Sequence, residues 1–268
     1  MEPASITDKE FAQFRQFLFE AAGISLSPGK KALVSGRLAK RLRFHGLPSY
    51  GDYYRLLSSG QAEDELQTAI DLLTTNETYF FREPKHFDFL RERISERVRS
   101  SAPVRVWSAA SSSGEEGYTI AMVLAQTLGA KPWEVIGTDI SSRMVARART
   151  GHYPMERAQH IPHELLRRYC LKGSGRQAGT LLVSRELRER VRFLEANLNA
   201  PLPDLGLFDF VFLRNVMIYF EMETKRQVVR RMLPSIKPGG YLFIGHSETL
   251  NEVTDAVTPV KPAIYRKP

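Results

Sequence analysis

The 268-residue chain has little of what would tie it to an oxidising compartment, a membrane or a metal. It carries one cysteine, Cys170, so no disulfide can form within it, and a reducing cytoplasm is the expected location. No apolar run approaches the roughly 20 residues needed to cross a bilayer. The start, Met1-Glu2-Pro3-Ala4-Ser5, lacks the basic and apolar regions of a secretory signal. The six histidines offer no convincing ligand spacing: His160 and His163 flank Pro162 with no cysteine or acidic cluster beside them, so no metal is expected. Gly-x-Gly-x-x-Gly is absent, which removes the turn of dinucleotide oxidoreductases, and so is the Gly-Lys-Ser/Thr of a P-loop.

What is present is a soluble-type composition, 43% hydrophobic and 25% charged, with enough length for one large core or two modest ones. The net charge of +8 is unevenly placed. Residues 141–192 hold 12 Arg/Lys against 4 Asp/Glu, so this segment alone carries +8 and the rest sums to zero. Within that remainder, residues 28–45 contain Lys30, Lys31, Arg37, Lys40, Arg41 and Arg43 with no acid. Each block is either a solvated face or a surface for an acidic partner.

Periodicity divides the chain. Residues 1–75 read as helical: Phe11, Phe14, Leu18 and Ala21 recur at helical spacing after a Thr7/Asp8 start, and Gly23 ends the segment. A second helix is expected over 30–45, with Val34, Leu38 and Leu42 on one face. Lys30, Arg37 and Arg41 fall within about 40° of one another beside that stripe. Shorter helices follow near 49–58 and 62–73. From about residue 84 helices (84–99, 115–128, 141–149, 223–236) alternate with strands (104–108, 134–139, 191–195, 208–213, 240–245), which implies a parallel sheet with helices on both faces. Residues 151–190 interrupt the alternation with Gly151, Pro154, Pro162, Gly173-Ser174-Gly175 and Gly179, and fit a small inserted antiparallel sheet.

The segment Val104-Arg105-Val106-Trp107-Ser108-Ala109-Ala110-Ser111-Ser112-Ser113-Gly114-Glu115-Glu116 reads as strand, tight turn and helix start. Small residues there let a ligand approach the backbone and the free N–H groups of the new helix. Asp139 ends the next strand 25 residues after Gly114, close to the ~20-residue spacing at which an acid accepts ribose hydroxyls. An ordinary connection with Asp139 capping the next helix near Ser141 is the competing explanation. Arg214-Asn215 and Asn197-Leu198 end two further strands at the same sheet edge. Asn76, Thr78 and Arg82 lie at the junction of the helical and sheet halves. Singly, Asn76 could close a helix, Arg82 pair with a surface acid, and Asn215 cap a helix.

Five words, in order, resemble the CheR-type chemotaxis receptor methyltransferases, which use S-adenosylmethionine to esterify receptor glutamates. They are Thr75-Asn76-Glu77-Thr78-Tyr79-Phe80-Phe81-Arg82-Glu83, Trp107-Ser108-Ala109-Ala110 through Gly114-Glu115-Glu116, Gly137-Thr138-Asp139-Ile140, Arg214-Asn215-Val216-Met217-Ile218-Tyr219-Phe220 and Gly245-His246-Ser247-Glu248. The resemblance covers about residues 6–265. One departure is Gly117, where the family commonly has proline, which makes the helix start less rigid. The implied fold is α/β: a Rossmann-like class I methyltransferase sheet over 76–268, an N-terminal all-helical domain over 1–75 that contacts the receptor, and a β-subdomain inserted at about 151–190.

The resemblance further implies cofactor contacts at Asn76, Thr78, Arg82, Glu116, Asp139, Asn197, Leu198, Arg214 and Asn215. Asp139 would take the ribose hydroxyls and Asn197 with Leu198 the adenine. Glu116 would suit either the ammonium group or a ribose hydroxyl. Arg82 and Tyr219 are the candidates to orient the accepting carboxylate, and S-adenosylhomocysteine would leave. Lys30, Arg37 and Arg41 suit the acidic methylation helices of the receptor. In some members the insert captures a C-terminal receptor peptide by strand addition, and the Gly173-Ser174-Gly175 turn is compatible with that. A monomer that inserts in no membrane is expected. The main rival is a nucleic-acid methyltransferase, suggested by a pI near 9.6. However, Arg214-Asn215-Val216-Met217 lacks the Asn/Asp-Pro-Pro-aromatic word of base-amine enzymes, and Cys170 lies in the insertion rather than in the core site of a cytosine C5 enzyme. No nucleic acid is therefore expected. A non-catalytic receptor-binding adaptor is the other alternative.

Overall fold

A computed structural model describes residues 5–96 and 102–268. The chain opens with four helices, α1 (Asp8–Ala22), α2 (Lys31–Phe44), α3 (Tyr50–Ser58) and α4 (Glu63–Leu73). The start and stop of α1 follow local chemistry. The Thr7 hydroxyl accepts the Glu10 N–H while the Glu10 carboxylate accepts the Thr7 N–H, a reciprocal cap of about 1 kcal/mol. Gly23, at φ 70°, closes the helix in the left-handed region. The apolar positions read at helical spacing form this part's core: Phe11, Phe14 and Leu18 pack with Val34, Leu38, Leu42, Tyr53 and Leu57. α5 (Lys85–Glu96) then leads into the sheet; positions 97–99 of the helix expected there lie outside the described residues.

The remaining elements are β1 (Val104–Ala109), α6 (Glu115–Leu128), β2 (Trp133–Asp139), α7 (Ser142–Thr150), β3 (His152–Pro154), α8 (His163–Tyr169), β4 (Cys170–Lys172), β5 (Thr180–Val183), α9 (Arg185–Arg188), β6 (Val191–Glu195), β7 (Phe208–Leu213), α10 (Met222–Met232), β8 (Ile236–Ile244), β9 (Thr258–Lys261) and β10 (Ile264–Arg266). Seven strands form one sheet in the order β6-β2-β1-β7-β8-β10-β9. The first five are parallel. All six residues of β7 are buried, as a strand covered on both faces requires. α5, α6 and the insert pack on one face, and α10 packs on the other. β3, β5 and β4 make the expected three-stranded antiparallel insert, with β5 central.

Two expectations need correction. The sheet is mixed, because β10 pairs antiparallel with β8, and β9 with β10. Also, the helix expected over 223–236 ends at Met232, and β8 starts at Ile236 rather than at 240. Pro234 has no N–H to continue the helix, so Leu233–Ser235 tighten into a 3-10 turn. Among the described residues, no helix is long and apolar enough to cross a membrane.

Candidate cofactor site

The carboxyl ends of β6, β2, β1 and β7 open into a cavity of about 370 Å³. This size falls within the roughly 300–1,000 Å³ of small-molecule sites. Sequence order reverses at β1, with β2 on one side and β7 on the other, and such a crevice is where open α/β sheets bind ligands. Backbone strain collects here. Of the seven non-glycine residues with positive φ among the described residues, five (Phe81, Glu83, Ala110, Ser112 and Asn215) lie in the three segments around the cavity, and left-handed backbone at non-glycine positions tends to cluster at functional sites.

The turn between β1 and α6 is built around Asp139. Its Oδ2 accepts the Ser112 N–H (2.8 Å) and its Oδ1 the Ser141 N–H (2.9 Å). Burial nevertheless dominates and pushes the carboxyl up to about 6, against the lowering effect of these two donors. Asp139 thus braces the start of α7, as the competing explanation has it, and also lines the cavity. Gly114 has φ 95°, and a Cβ there would lie 2.8 Å from Ala148 Cβ and 3.0 Å from Tyr153 Oη. α6 begins at Glu115 despite Gly117.

Arg214 is the hub of the opposite wall. Its side chain is 1% exposed. Nη1 donates to Glu116 Oε2 (2.7 Å), and Nη2 donates to Glu83 Oε2 (3.0 Å) and to the Arg82 carbonyl. Of its three nitrogens Nε alone has no partner, so three of its five N–H donors brace the wall instead of facing a ligand. Glu116 also accepts the Ser108 hydroxyl at 2.7 Å. Asn215 is held in its left-handed conformation by Glu248, whose Oε2 accepts the N–H groups of Asn215 (2.9 Å) and Gly245 (2.6 Å). The linker after α4 supplies Asn76, Thr78 and Arg82 to the cavity; the Ser112 hydroxyl donates to the Asn76 carbonyl (3.0 Å), and Arg82 Nη1 to the Glu77 carbonyl (2.9 Å). Asn197 and Leu198 line the cavity too. The Asn197 side chain is already engaged, however: its Nδ2 donates to the Ala21 carbonyl (2.6 Å) and its Oδ1 accepts the Asn199 N–H. These two bonds fix the orientation of the amide and leave one Nδ2 hydrogen and one Oδ1 lone pair unassigned.

Tyr219 and Lys30 line the same cavity, Lys30 from an exposed turn of the helical part. Arg37 and Arg41 do not line it. Arg37 donates to the carbonyls of Leu73 (2.9 Å) and Thr74 (3.1 Å). Arg41 binds Glu65 through both nitrogens. Burial alone would raise Glu65, yet hydrogen bonds from Arg41, Tyr53 and His45 bring it down to about 2. These two arginines, expected to face a receptor, hold the helical part together and leave the exposed charge of α2 to Lys40 and Arg43.

Sequence reasoning missed the front wall, where Ile24, Leu26 and Leu33 reach the cavity from the helical part. The carboxylates Glu83 and Glu248 lie within segments that resemble the family, but nothing local in the sequence marks a carboxylate that accepts backbone N–H groups. It also missed a cluster of Glu83, His86 and His246 whose candidate ligand atoms lie within 4.8 Å. Glu83 is already ion-paired to Arg214. Burial first, and the Arg214 charge second, depress His86 to about 3. A fixed guanidinium thus competes for the oxygen a cation would take.

Known proteins are similar to this chain in sequence. Residues 76–265 match the profile of the CheR methyltransferase, SAM binding domain, and residues 9–74 that of the CheR methyltransferase, all-alpha domain. A chemotaxis protein methyltransferase of Escherichia coli (strain K12) is 41% identical over 267 residues, covering 98% of this chain and 92% of the relative. Chemotaxis protein methyltransferase 2 of Pseudomonas aeruginosa is 38% identical over 262 residues, covering 97% and 93%. A chemotaxis protein methyltransferase of Borreliella burgdorferi is 35% identical over 274 residues, covering 98% and 95%.

Proposed function

Because the chain belongs to the CheR methyltransferase family, we propose that it methyl-esterifies glutamate side chains of a chemotaxis receptor, with S-adenosylmethionine as donor. The observation that carries this reading is the convergence on one cavity of an acid at the end of β2, a strained small-residue turn, and the half-buried Arg82 and Tyr219. Bound S-adenosylmethionine supplies an electrophilic methyl group on a sulfonium. The chain's own residues must then bind, orient and exclude water. Asp139 accepts ribose hydroxyls with the lone pairs that Ser112 and Ser141 leave free. Leu198 packs on the adenine while Asn197 hydrogen-bonds its edge. Glu116, fixed by Arg214 and Ser108, accepts from the ammonium group or a ribose hydroxyl. Asn76, Thr78 and Asn215 complete the binding wall. A glutamate carboxylate, with an ordinary pKa near ~4.3, is ionised at neutral pH, so no general base is needed. Arg82 and Tyr219 orient that carboxylate.

In this reading residues 1–75 meet the acidic receptor helices, 76–268 hold the donor, and the insert at 151–190 is available to a receptor peptide. The enzyme works as a cytoplasmic monomer. The test is incubation with radiolabelled S-adenosylmethionine and receptor-containing membranes. Base-labile label on the receptor is expected, and Arg82→Ala and Tyr219→Phe should reduce it while cofactor affinity stays within a few-fold. Label that resists base, or label on nucleic acid, overturns the proposal.

A further inference from the structure

The insert reaches the cofactor cavity from behind. After β3 a 3-10 turn, Met155–His160, carries Arg157 to the linker, where Nη1 donates to the Thr78 carbonyl at 2.6 Å. The same Nη1 lies 3.3 Å from Oε1 of Glu115, the first residue of α6. Glu115 is completely buried. Its Oε2 accepts the Ser113 hydroxyl (2.6 Å), and its Oε1 has no hydrogen bond. A buried carboxylate in that state is costly unless a cation faces it, and Arg157, 34% exposed at its side chain, is the cation ion-paired with it. Two more contacts run the same way. Tyr153, buried at the base of the insert, donates its hydroxyl to the Ser113 carbonyl (2.7 Å), and His160 packs on Tyr79 at a ring separation of 4.9 Å. Thr78 and Tyr79 line the cavity.

We infer that Arg157 is a positioning residue: it ties the Thr78–Tyr79 linker to the start of α6, so that the insert holds two walls of the cofactor cavity in register. Its guanidinium acts through the Thr78 carbonyl and the Glu115 carboxylate. A guanidinium suits the task because its fork can serve a carbonyl and a carboxylate at once, whereas a lysine ammonium is a point charge on a flexible stem. Two consequences follow. The insert contributes to cofactor affinity in the absence of any receptor, and a partner seated on its outer strand is connected to the cavity wall through the hydrogen-bonded ladder of β5 and β3 and the turn that carries Arg157. The inference rests on the cavity holding S-adenosylmethionine, and that premise is measured separately.

The experiment uses the full chain and S-adenosylhomocysteine as probe. Calorimetry on the wild type establishes that the cavity binds it; absence of binding there sinks the premise, not the role of Arg157. Arg157→Ala is expected to weaken affinity about fivefold to tenfold, the scale of one ordinary hydrogen bond, because the bond to the Thr78 carbonyl acts on the cofactor only through the linker. In turnover assays the KM for S-adenosylmethionine should rise similarly, with kcat and the receptor KM within twofold. Arg157→Ala should also lower the thermal midpoint, because Glu115 loses the cation that faces it, whereas Arg157→Lys should restore the midpoint and recover part of the affinity. Affinity of Arg157→Ala within twofold of wild type overturns the inference. So does a loss that tracks the thermal midpoint and that lysine does not relieve, because that pattern belongs to a residue serving only the fold.

Discussion

Asp139 is the side chain whose chemistry is most open to measurement. Its carboxyl is raised from 3.8 to about 6 because burial outweighs the two N–H groups it accepts. A carboxyl raised on folding is easier to keep protonated in the folded state. Stability of the unliganded protein therefore falls as pH rises from about 4 to about 6, since the unfolded chain releases this proton first. Cofactor binding runs the other way, because ribose hydroxyls donate to the ionised carboxylate. Titration calorimetry from pH 5 to 8 should show affinity constant above about 6.5 and falling toward tenfold per unit below about 5.5. Asp139→Asn should remove that slope and cost about 1–3 kcal/mol of affinity at pH 7.5; an unchanged slope would assign it to another group. Arg214 offers a second test. It stands between Glu83 and Glu116 at 1% exposure. Arg214→Met leaves two part-buried carboxylates facing each other and is expected to lower unfolding free energy by about 3–5 kcal/mol in urea titrations.

The turn between β1 and α6 shows what an element owes to one residue. With Gly114 at φ 95° and Tyr153 and Ala148 filling the space beside it, Gly114→Ala strains the backbone and overpacks the contact. A loss of about 1–3 kcal/mol in stability is expected, and chemical denaturation with calorimetry should show cofactor affinity falling with it. This element was legible in the sequence, because a β-branched run, small residues and an amphipathic helix follow one another directly. The same applies to α1, whose Thr7–Glu10 cap and Gly23 stop are local, and to β7, whose five apolar residues on both faces leave no solvent side. Elements defined by distant partners were not legible. β9 is exposed along its length, contains Pro259, and exists as a strand because β10 pairs with it. In the site, the residues at strand ends were readable from spacing. The engagement of Arg37 and Arg41 was not, since a helical wheel gives their direction but not the approach of Glu65 or of the carbonyls that end α4.

At the scale of the molecule, the helical part and the sheet form one surface around the cavity. The Asn197 side chain donates to the Ala21 carbonyl, the Ser25 N–H to the Tyr219 carbonyl (2.8 Å), and Gln67 to the Ile140 carbonyl (2.9 Å). Asp71 accepts the Ser142 hydroxyl (2.9 Å). A charge reversal on α2 can therefore act in two different ways, depending on where the side chain goes. Arg41→Glu would face Glu65, and Arg37→Glu would repel the carbonyls of Leu73 and Thr74 immediately before the cofactor linker. Both should lower stability and cofactor affinity together with methylation. Lys40 and Arg43 point to solvent. Reversing them removes long-range attraction for an acidic helix without touching the cavity, so Lys40→Glu with Arg43→Glu should slow receptor methylation about tenfold at low salt and leave the affinity for S-adenosylhomocysteine unchanged. Steering of this kind is screened over about 8 Å at physiological ionic strength. The gap between wild type and the double variant should therefore close as sodium chloride is raised from 20 to about 300 mM, in initial-rate assays on receptor membranes. A gap that persists at high salt would mean that Lys40 and Arg43 make direct contacts with the receptor helix, and a gap absent at low salt would mean that the acidic partner approaches by another face.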